Sequence, residues 1–418
     1  PRAPKLSLLL PRPRDVETSG IWVTLPEDPL IRLDGAVPPE MVRRVKQALH
    51  LLGHRSPEIA EARREGDPWS ISLGAMQRLT LVHHPQSYLL EISNDGCRVE
   101  GSDAAGLFYG VCTLVQLLHL FSVRPGEVVL PGLRIQDRPD YPRRGVMLDV
   151  SRDRVPTMRT LYDLVDLLAS WKVNQLQLYF EHTFAYRGHE VVWRDASPFT
   201  GEQILALDRF CRDRYLELVP NHNSFGHMHR WLIHEPYREL AECPEGIDHP
   251  FSRTKEPYSL CPTNERSFEL LEDLYDQLLP LFSSKQVNVG LDETLDLGQG
   301  RSAGRCAEVG PGRLYLEHLL GVHKLVTDRG RTMQFWGDII VKHPDLIAEL
   351  PRDAIALEWG YEADHPFEQR CRLFADAKLR FYVCPGTSSW NTIAGRTENA
   401  LANLSRAAAH GREAGAEG

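Results

Sequence analysis

From Pro142 onward the chain alternates short apolar runs with longer amphipathic stretches, and few folds accommodate that alternation. Short apolar runs bounded by turn residues read as strands buried on both faces, whereas apolar residues recurring every three to four positions read as helices packed by one side. The expected strands are Gly145–Val150, Gln175–Phe180, Leu216–Val219, Val287–Leu291, Met333–Trp336, Ile355–Glu358 and Arg380–Cys384. Helices are expected near Met158–Trp171, Gly201–Tyr215, Glu265–Phe282, Arg313–Arg329, Pro344–Leu350, Pro366–Ala377 and Thr397–Ala414. A helix between two such strands returns the chain to the same end of the sheet, so the strands pair in parallel. Seven such units in roughly 275 residues suit an α/β (β/α)8 TIM barrel better than a doubly wound sheet. No GxGxxG fingerprint follows the first strand.

A closed barrel needs an eighth strand, yet the chain stops after the seventh helix at Gly415-Ala416-Glu417-Gly418. On this reading the last strand is missing because the sequence is truncated before it; an open barrel or an unrecognised strand are the alternatives. An unclosed barrel exposes two strand edges, so a chain ending here is expected to be poorly stable by itself.

The region before the barrel reads differently. Residues 1–20, rich in Pro and Arg, read as an extended lead-in, residues 21–135 as a small α+β domain, and residues 136–418 as the barrel. Within the small domain a helix is expected at Pro39–Leu52, with strands at Ser70–Leu73, Arg78–Val82, Tyr88–Ile92 and Arg98–Glu100. Ser93-Asn94-Asp95-Gly96 is a hairpin signal, because those residues tolerate positive φ. A second helix from about Asp103 to Leu120 has Asp103 as its N-cap, and a Pro-punctuated connector follows at Pro131–Pro142.

Composition narrows the function. A net charge of −9 argues against nucleic acid as a partner. The longest apolar candidate, Leu114–Phe121, contains Gln116 and His119 and is too short to span a membrane. Eight scattered cysteines without a CxxC pair read as mostly buried thiols rather than a disulfide framework. The chain opens on Pro1 with no signal-peptide pattern, so it reads as a processed or excised piece, with a cytoplasmic setting slightly favoured and the oligomeric state open.

Barrels of this kind carry their chemistry at the C-terminal ends of the strands. Those positions hold Asp149 and Arg152; Glu181 and His182; Asn221, His222, Asn223 and His227; Asp292 and Glu293; Trp336 and Asp338; Glu358 and Trp359; and Pro385 to Trp390. The rim is acidic and aromatic, with nothing to cradle a phosphate, and no cofactor or metal is expected. Asp292 and Glu293 leave a buried strand side by side; like charges held close raise one pKa, which suits one carboxyl to general-acid work. Trp336, Trp359 and Trp390 follow successive strands, where indoles can stack on sugar faces and exclude water.

These residues carry a resemblance. Arg143-Arg144-Gly145-Val146-Met147-Leu148-Asp149-Val150-Ser151-Arg152, Gly226-His227 and Gly290-Leu291-Asp292-Glu293 resemble the β-N-acetylhexosaminidases of glycoside hydrolase family 20. Ala105-Gly106-Leu107-Phe108-Tyr109-Gly110-Val111-Cys112-Thr113-Leu114 resembles the helix of the small domain that precedes that family's barrel. The resemblance implies an exo-glycosidase acting on terminal β-linked N-acetylhexosamine in glycans or glycoconjugates, with the substrate's own acetamide as nucleophile. It makes Glu293 the general acid/base and Asp292 the residue that orients the acetamide. By the same matching Arg144 grips sugar hydroxyls, Trp336 and Trp359 wall the acetamide pocket, and His227 supports the acid pair. Glu181 and Trp390 join the substrate-binding set. Glu181-His182-Thr183 stands where many members have an Asp-Asp pair, and Gly386-Thr387-Ser388-Ser389-Trp390-Asn391 offers no match for the family's acetamide-binding tyrosine. Two other readings remain: a carbohydrate-binding barrel without turnover, and a metal-dependent hydrolase built on His222, His227 and His229 with Asp149 or Asp292.

Overall fold

The computed structural model describes residues 3–61, 69–75, 84–152, 154–248 and 253–418. By contact the chain divides into two units: residues 1–142 with 163–174 and 213–216, and the remainder.

The first unit is built on a mixed sheet. Its strands are β1 (Asp15–Thr24), β2 (Leu30–Asp34), β3 (Ile59–Glu61), β4 (Ser70–Ala75), β5 (Tyr88–Ser93), β6 (Gly96–Gly101), β7 (Ser122–Arg124) and β8 (Glu127–Asp137). They lie in the order β1-β8-β5-β6-β4-β2-β3, with β7 on β8. The helices Pro39–Leu51 and Ala104–Leu120 share one apolar core with the sheet, including Met41, Val45, Leu73, Leu90, Val99, Leu114 and Ile135. Asp103 caps the second helix, accepting the Gly106 N–H at 2.7 Å.

The edges of the sheet differ from expectation. Residues 15–20, read as lead-in, belong to β1, and β8 runs through the segment read as connector. Pro131 is accommodated within β8 because it lies opposite Trp22, where the β1 register shifts and the ladder is already irregular. The strand expected at Arg78–Val82 lies outside the described residues.

The second unit carries the barrel strands β9 (Gly145–Asp149), β10 (Gln175–Tyr179), β11 (Glu217–Val219), β12 (Gln286–Asn288), β13 (Thr332–Trp336), β14 (Ile355–Trp359) and β15 (Arg380–Cys384). Neighbours pair in parallel in chain order. The junction from β11 to β12 is made by two main-chain bonds, His222 N to Asn288 O at 3.0 Å and Asn288 N to Pro220 O at 2.9 Å. Between β15 and β9 lie the last residues. Glu417 N donates to Phe381 O, Val383 N to Gly418 O and Arg143 N to Glu417 O, each at 3.0 Å. Glu417 and Gly418 therefore occupy the eighth position, where the sequence pattern showed no strand.

Two helical expectations change for local reasons. The helix Glu265–Leu278 tightens into a 3-10 turn at Leu279–Leu281, where Pro280 has no N–H to donate. Pro344–Glu349 is likewise 3-10 rather than α. No helix among the described residues is long and apolar enough to cross a membrane. All eight cysteines are free thiols.

The barrel interior is not purely apolar. The Gln177 amide donates to Gln334 Oε1 at 2.7 Å, and Asn288 Nδ2 donates to Gln177 Oε1 at 3.0 Å. Asn288 Oδ1 in turn accepts the Gly290 N–H at 2.9 Å, so this buried amide layer reaches the loop that leaves β12.

Candidate active site

β12 was expected to extend to Leu291, but its ladder ends at Asn288 because the chain turns sharply. Gly290 has φ 73°, Leu291 φ 73° and Glu293 φ 47°. L side chains avoid this region, so tertiary contacts must hold the turn. Ser224 Oγ donates to Val289 O at 2.7 Å, Tyr315 Oη to Leu291 O at 3.0 Å, and Trp336 N to Gly290 O at 2.9 Å. Glycine is required at two places here. A Cβ on Gly290 would lie 2.3 Å from Asn223 Oδ1, and one on Gly226 would lie 2.4 Å from Asp292 O. The close approach at Gly226 brings the loop after β11 against the loop after β12.

His227, next in the chain, also has positive φ, at 60°. It is buried between three carboxylates. Its Nε2–H donates to Glu293 Oε2 at 3.1 Å and lies 3.3 Å from Asp292 Oδ2, while Nδ1 lies 3.3 Å from Glu181 Oε1. Burial opposes a charge on this ring. The charge of Asp292 and hydrogen bonds to Asp292, Glu181 and Glu293 outweigh it and hold the imidazole well above its usual range. His227 is thus an imidazolium.

Glu181 completes the ion pair. Burial pushes its carboxyl up, but the His227 hydrogen bond and the Arg152 charge override burial and lower it to about 2. Arg152 reaches Glu181 Oε1 at 3.2 Å and Asp149 Oδ2 at 2.7 Å. Tyr179 Oη donates to Glu181 Oε1 at 3.1 Å and accepts from Asn223 Nδ2 at 2.8 Å. Tyr179 is a part of the site that sequence reasoning did not assign, its only signal a position at the end of a strand, whereas Asn223 was read as a rim position without a role.

The aromatic residues divide. Trp336 and Trp359 pack in one cluster with Leu357, Tyr382 and Met147. Trp390 meets instead the edge of Tyr361, at 4.5 Å, and Tyr361 stacks on Trp359 at 5.0 Å. Burial first, then the charges of Asp292 and Glu293, raise the Tyr361 phenol, which places it beside the acid pair. Tyr361, two residues beyond the strand end, was not among the residues read from the sequence. The structure places Arg144 just before β9, at the end of that strand opposite Asp149, with its main-chain oxygen accepting from Gln175 N at 3.2 Å.

The three histidines of the metal reading do not converge. Among the described residues His227, Asp292 and Glu293 offer ligand atoms within 4.8 Å of one another, without His222 or His229. Burial lowers His222 and His229 to about 4, leaving both neutral. His222 Nδ1–H donates to Asn223 O at 2.7 Å, and His229 stacks on Tyr258.

The chain matches two family models: the glycosyl hydrolase family 20 catalytic domain over residues 141–385 and domain 2 of the same family over residues 7–138. It is similar to a beta-N-acetylhexosaminidase of Cellulomonas fimi, at 27% identity over 71% of this chain and 61% of the relative. It is also similar to a beta-hexosaminidase of Porphyromonas gingivalis, at 27% identity over 50% of this chain and 29% of the relative. The chain therefore spans less than two thirds of either relative's length. A chitobiase structure from Flavobacterium johnsoniae superposes with a TM-score of 0.75 at 19% identity, over 91% of this chain and 59% of that one, a likeness of fold.

Proposed function

Because the chain belongs to glycosyl hydrolase family 20, we propose that it is an exo-acting β-N-acetylhexosaminidase, removing terminal non-reducing N-acetylglucosamine or N-acetylgalactosamine from glycans and glycoconjugates. The observation that carries this reading is geometric: the His227 ring lies within 3.3 Å of Glu181, Asp292 and Glu293. The relatives named as hexosaminidases support it.

The acetamide carbonyl oxygen of the substrate attacks the anomeric carbon as the glycosidic bond breaks. Glu293, carrying a proton, gives it to the departing oxygen. Its side chain is 28% exposed against 12% for Asp292, which suits it to meet a leaving group at the mouth of the site. Asp292, whose Oδ1 is buried and has no hydrogen-bond partner among the described residues, accepts the acetamide N–H and stabilises the positive charge of the oxazolinium intermediate. Glu293, now a carboxylate, takes a proton from water as that water opens the ring at the anomeric carbon. The two proton transfers are one step run in both directions, so one residue serves both. His227 holds the two carboxylates in register, with Glu181 as its counter-ion. Trp336 and Trp359 wall the acetamide, and Tyr361 and Trp390 complete the sugar pocket.

Glu293→Gln should lower kcat on an aryl N-acetyl-β-glucosaminide by roughly 100-fold or more while substrate binding persists. A thiazoline analogue of the sugar, which mimics the cyclised acetamide, should inhibit the unaltered protein. Near-normal turnover by the Gln variant, or tight sugar binding without product from the unaltered protein, would sink the reading.

A further inference from the structure

Asp338 takes no part in the chemistry above, yet it touches the residues that do. It lies two residues past β13, on a different loop from the acid pair, and its Oδ2 accepts the Glu293 main-chain N–H at 3.2 Å. Its Oδ1 is buried without a hydrogen-bond partner among the described residues, as is Oδ1 of Asp292. The Asp338 carboxyl lines a cavity of about 680 Å³ together with Glu293, Trp359 and Tyr361. Glu293 sits at φ 47°, a conformation that relaxes unless its peptide group is held.

We propose that Asp338 is a positioning residue for the hydrolysis: it fastens the main chain of Glu293 in its left-handed turn and, held against the peptide that links Asp292 to Glu293, sets whether a further negative charge stands beside the acid pair. The proposal rests on the glycosidase reading. Two buried carboxyls held close cannot both ionise without cost. Burial first, and the charge of Asp292 second, push the Asp338 carboxyl up to about 7, against the opposing pull of the Glu293 N–H, the Trp359 indole and Lys342. The titratable groups that feel its charge from neighbouring elements are Asp292, Tyr315 and Tyr361, with Lys342 on its own loop. Below about pH 7 Asp338 is neutral and adds no second charge beside Asp292. Above it a second charge repels Asp292 and loosens the geometry that the acetamide must meet.

The experiment is the pH profile of kcat and KM on an aryl N-acetyl-β-glucosaminide for the unaltered protein, Asp338→Asn and Asp338→Ala. In the unaltered protein kcat should fall as pH rises through about 7. Asp338→Asn keeps an acceptor for the Glu293 N–H but cannot ionise, so it should remain active with that fall moved up by on the order of one pH unit. Asp338→Ala also loses the acceptor and should lose roughly tenfold or more in kcat with KM little changed. An Asn profile that superimposes on the unaltered one overturns the charge role, and an Ala variant with full kcat overturns the anchoring role.

If the unaltered protein turns nothing over, the glycosidase reading fails, and Asp338 is judged by denaturant unfolding against pH. A carboxyl raised in the folded state favours folding at low pH, and that contribution is lost as pH rises through about 7. Asp338→Asn should therefore gain stability relative to the unaltered protein between pH 5 and pH 8. Parallel curves would overturn the proposal on this arm.

Discussion

The core of the first unit and the catalytic rim of the second solve opposite problems. Around the helix Ala104–Leu120, apolar side chains such as Leu107, Phe108, Val111 and Leu114 are buried against a sheet. Lys172 Nζ there donates to Tyr88 Oη at 2.9 Å and Asp137 Oδ2 at 3.0 Å. At the rim the chain instead buries an imidazolium among three carboxylates, leaves Asp292 Oδ1 without a partner and holds His227, Leu291 and Glu293 at positive φ. The orphaned carboxyl oxygen and the positive φ angles cost stability. Their concentration at one place marks where the fold is organised around chemistry rather than packing.

That contrast can be broken by mutation. His227→Ala removes the cation that keeps three carboxylates together, and kcat should fall by roughly 100-fold or more, read by steady-state kinetics on the aryl glycoside. If activity survives, the cluster is structural and the contrast collapses. Leu114→Ala, in the first unit, should cost about 2–5 kcal/mol in urea unfolding, while kcat per folded molecule stays unchanged. A large loss of kcat in well-folded Leu114→Ala would mean that the core also shapes the site.

Smaller effects sharpen the picture. Glu181 is lowered in the folded state, so its stabilising contribution is present above its unfolded value and is lost as pH falls from about 4.5 toward about 2. The stability gap between the unaltered protein and Glu181→Gln should then be widest near pH 6 and close toward pH 2; a constant gap would remove the ion pair from the account. Tyr361→Phe keeps the stacking on Trp359 but removes the hydroxyl, and should raise KM by a factor of about two to ten with a modest change in kcat. An unchanged KM would leave Tyr361 a packing residue.

Much of the barrel was legible because strand burial writes itself into local composition. β15 and the helix Thr397–Ala414 fall where periodicity placed them, and Asp103 caps the helix it was expected to cap. The edge strands β1 and β3, and β2 beside β3, were not legible. β1 is mostly exposed, and β2 and β3 are short, so none shows the apolar pattern that reveals a buried strand. The pairing of Glu417 and Gly418 with β15 was invisible for a related reason, since two residues carry no periodicity.

By itself the sequence determined that two carboxyls, Asp292 and Glu293, would emerge together from a buried strand and that indoles would follow the neighbouring strands. Covalent adjacency and residue type suffice for that. Only the tertiary structure decided what surrounds them. It brought His227 to Glu293 across 66 positions and Asp338 to the Glu293 N–H across 45, and it set Tyr361 between Trp359 and Trp390. Hydrogen bonds and charge interactions act over a few ångströms of space, not along the chain, so the protonation of His227 and the turn at Glu293 exist only once the loops have met.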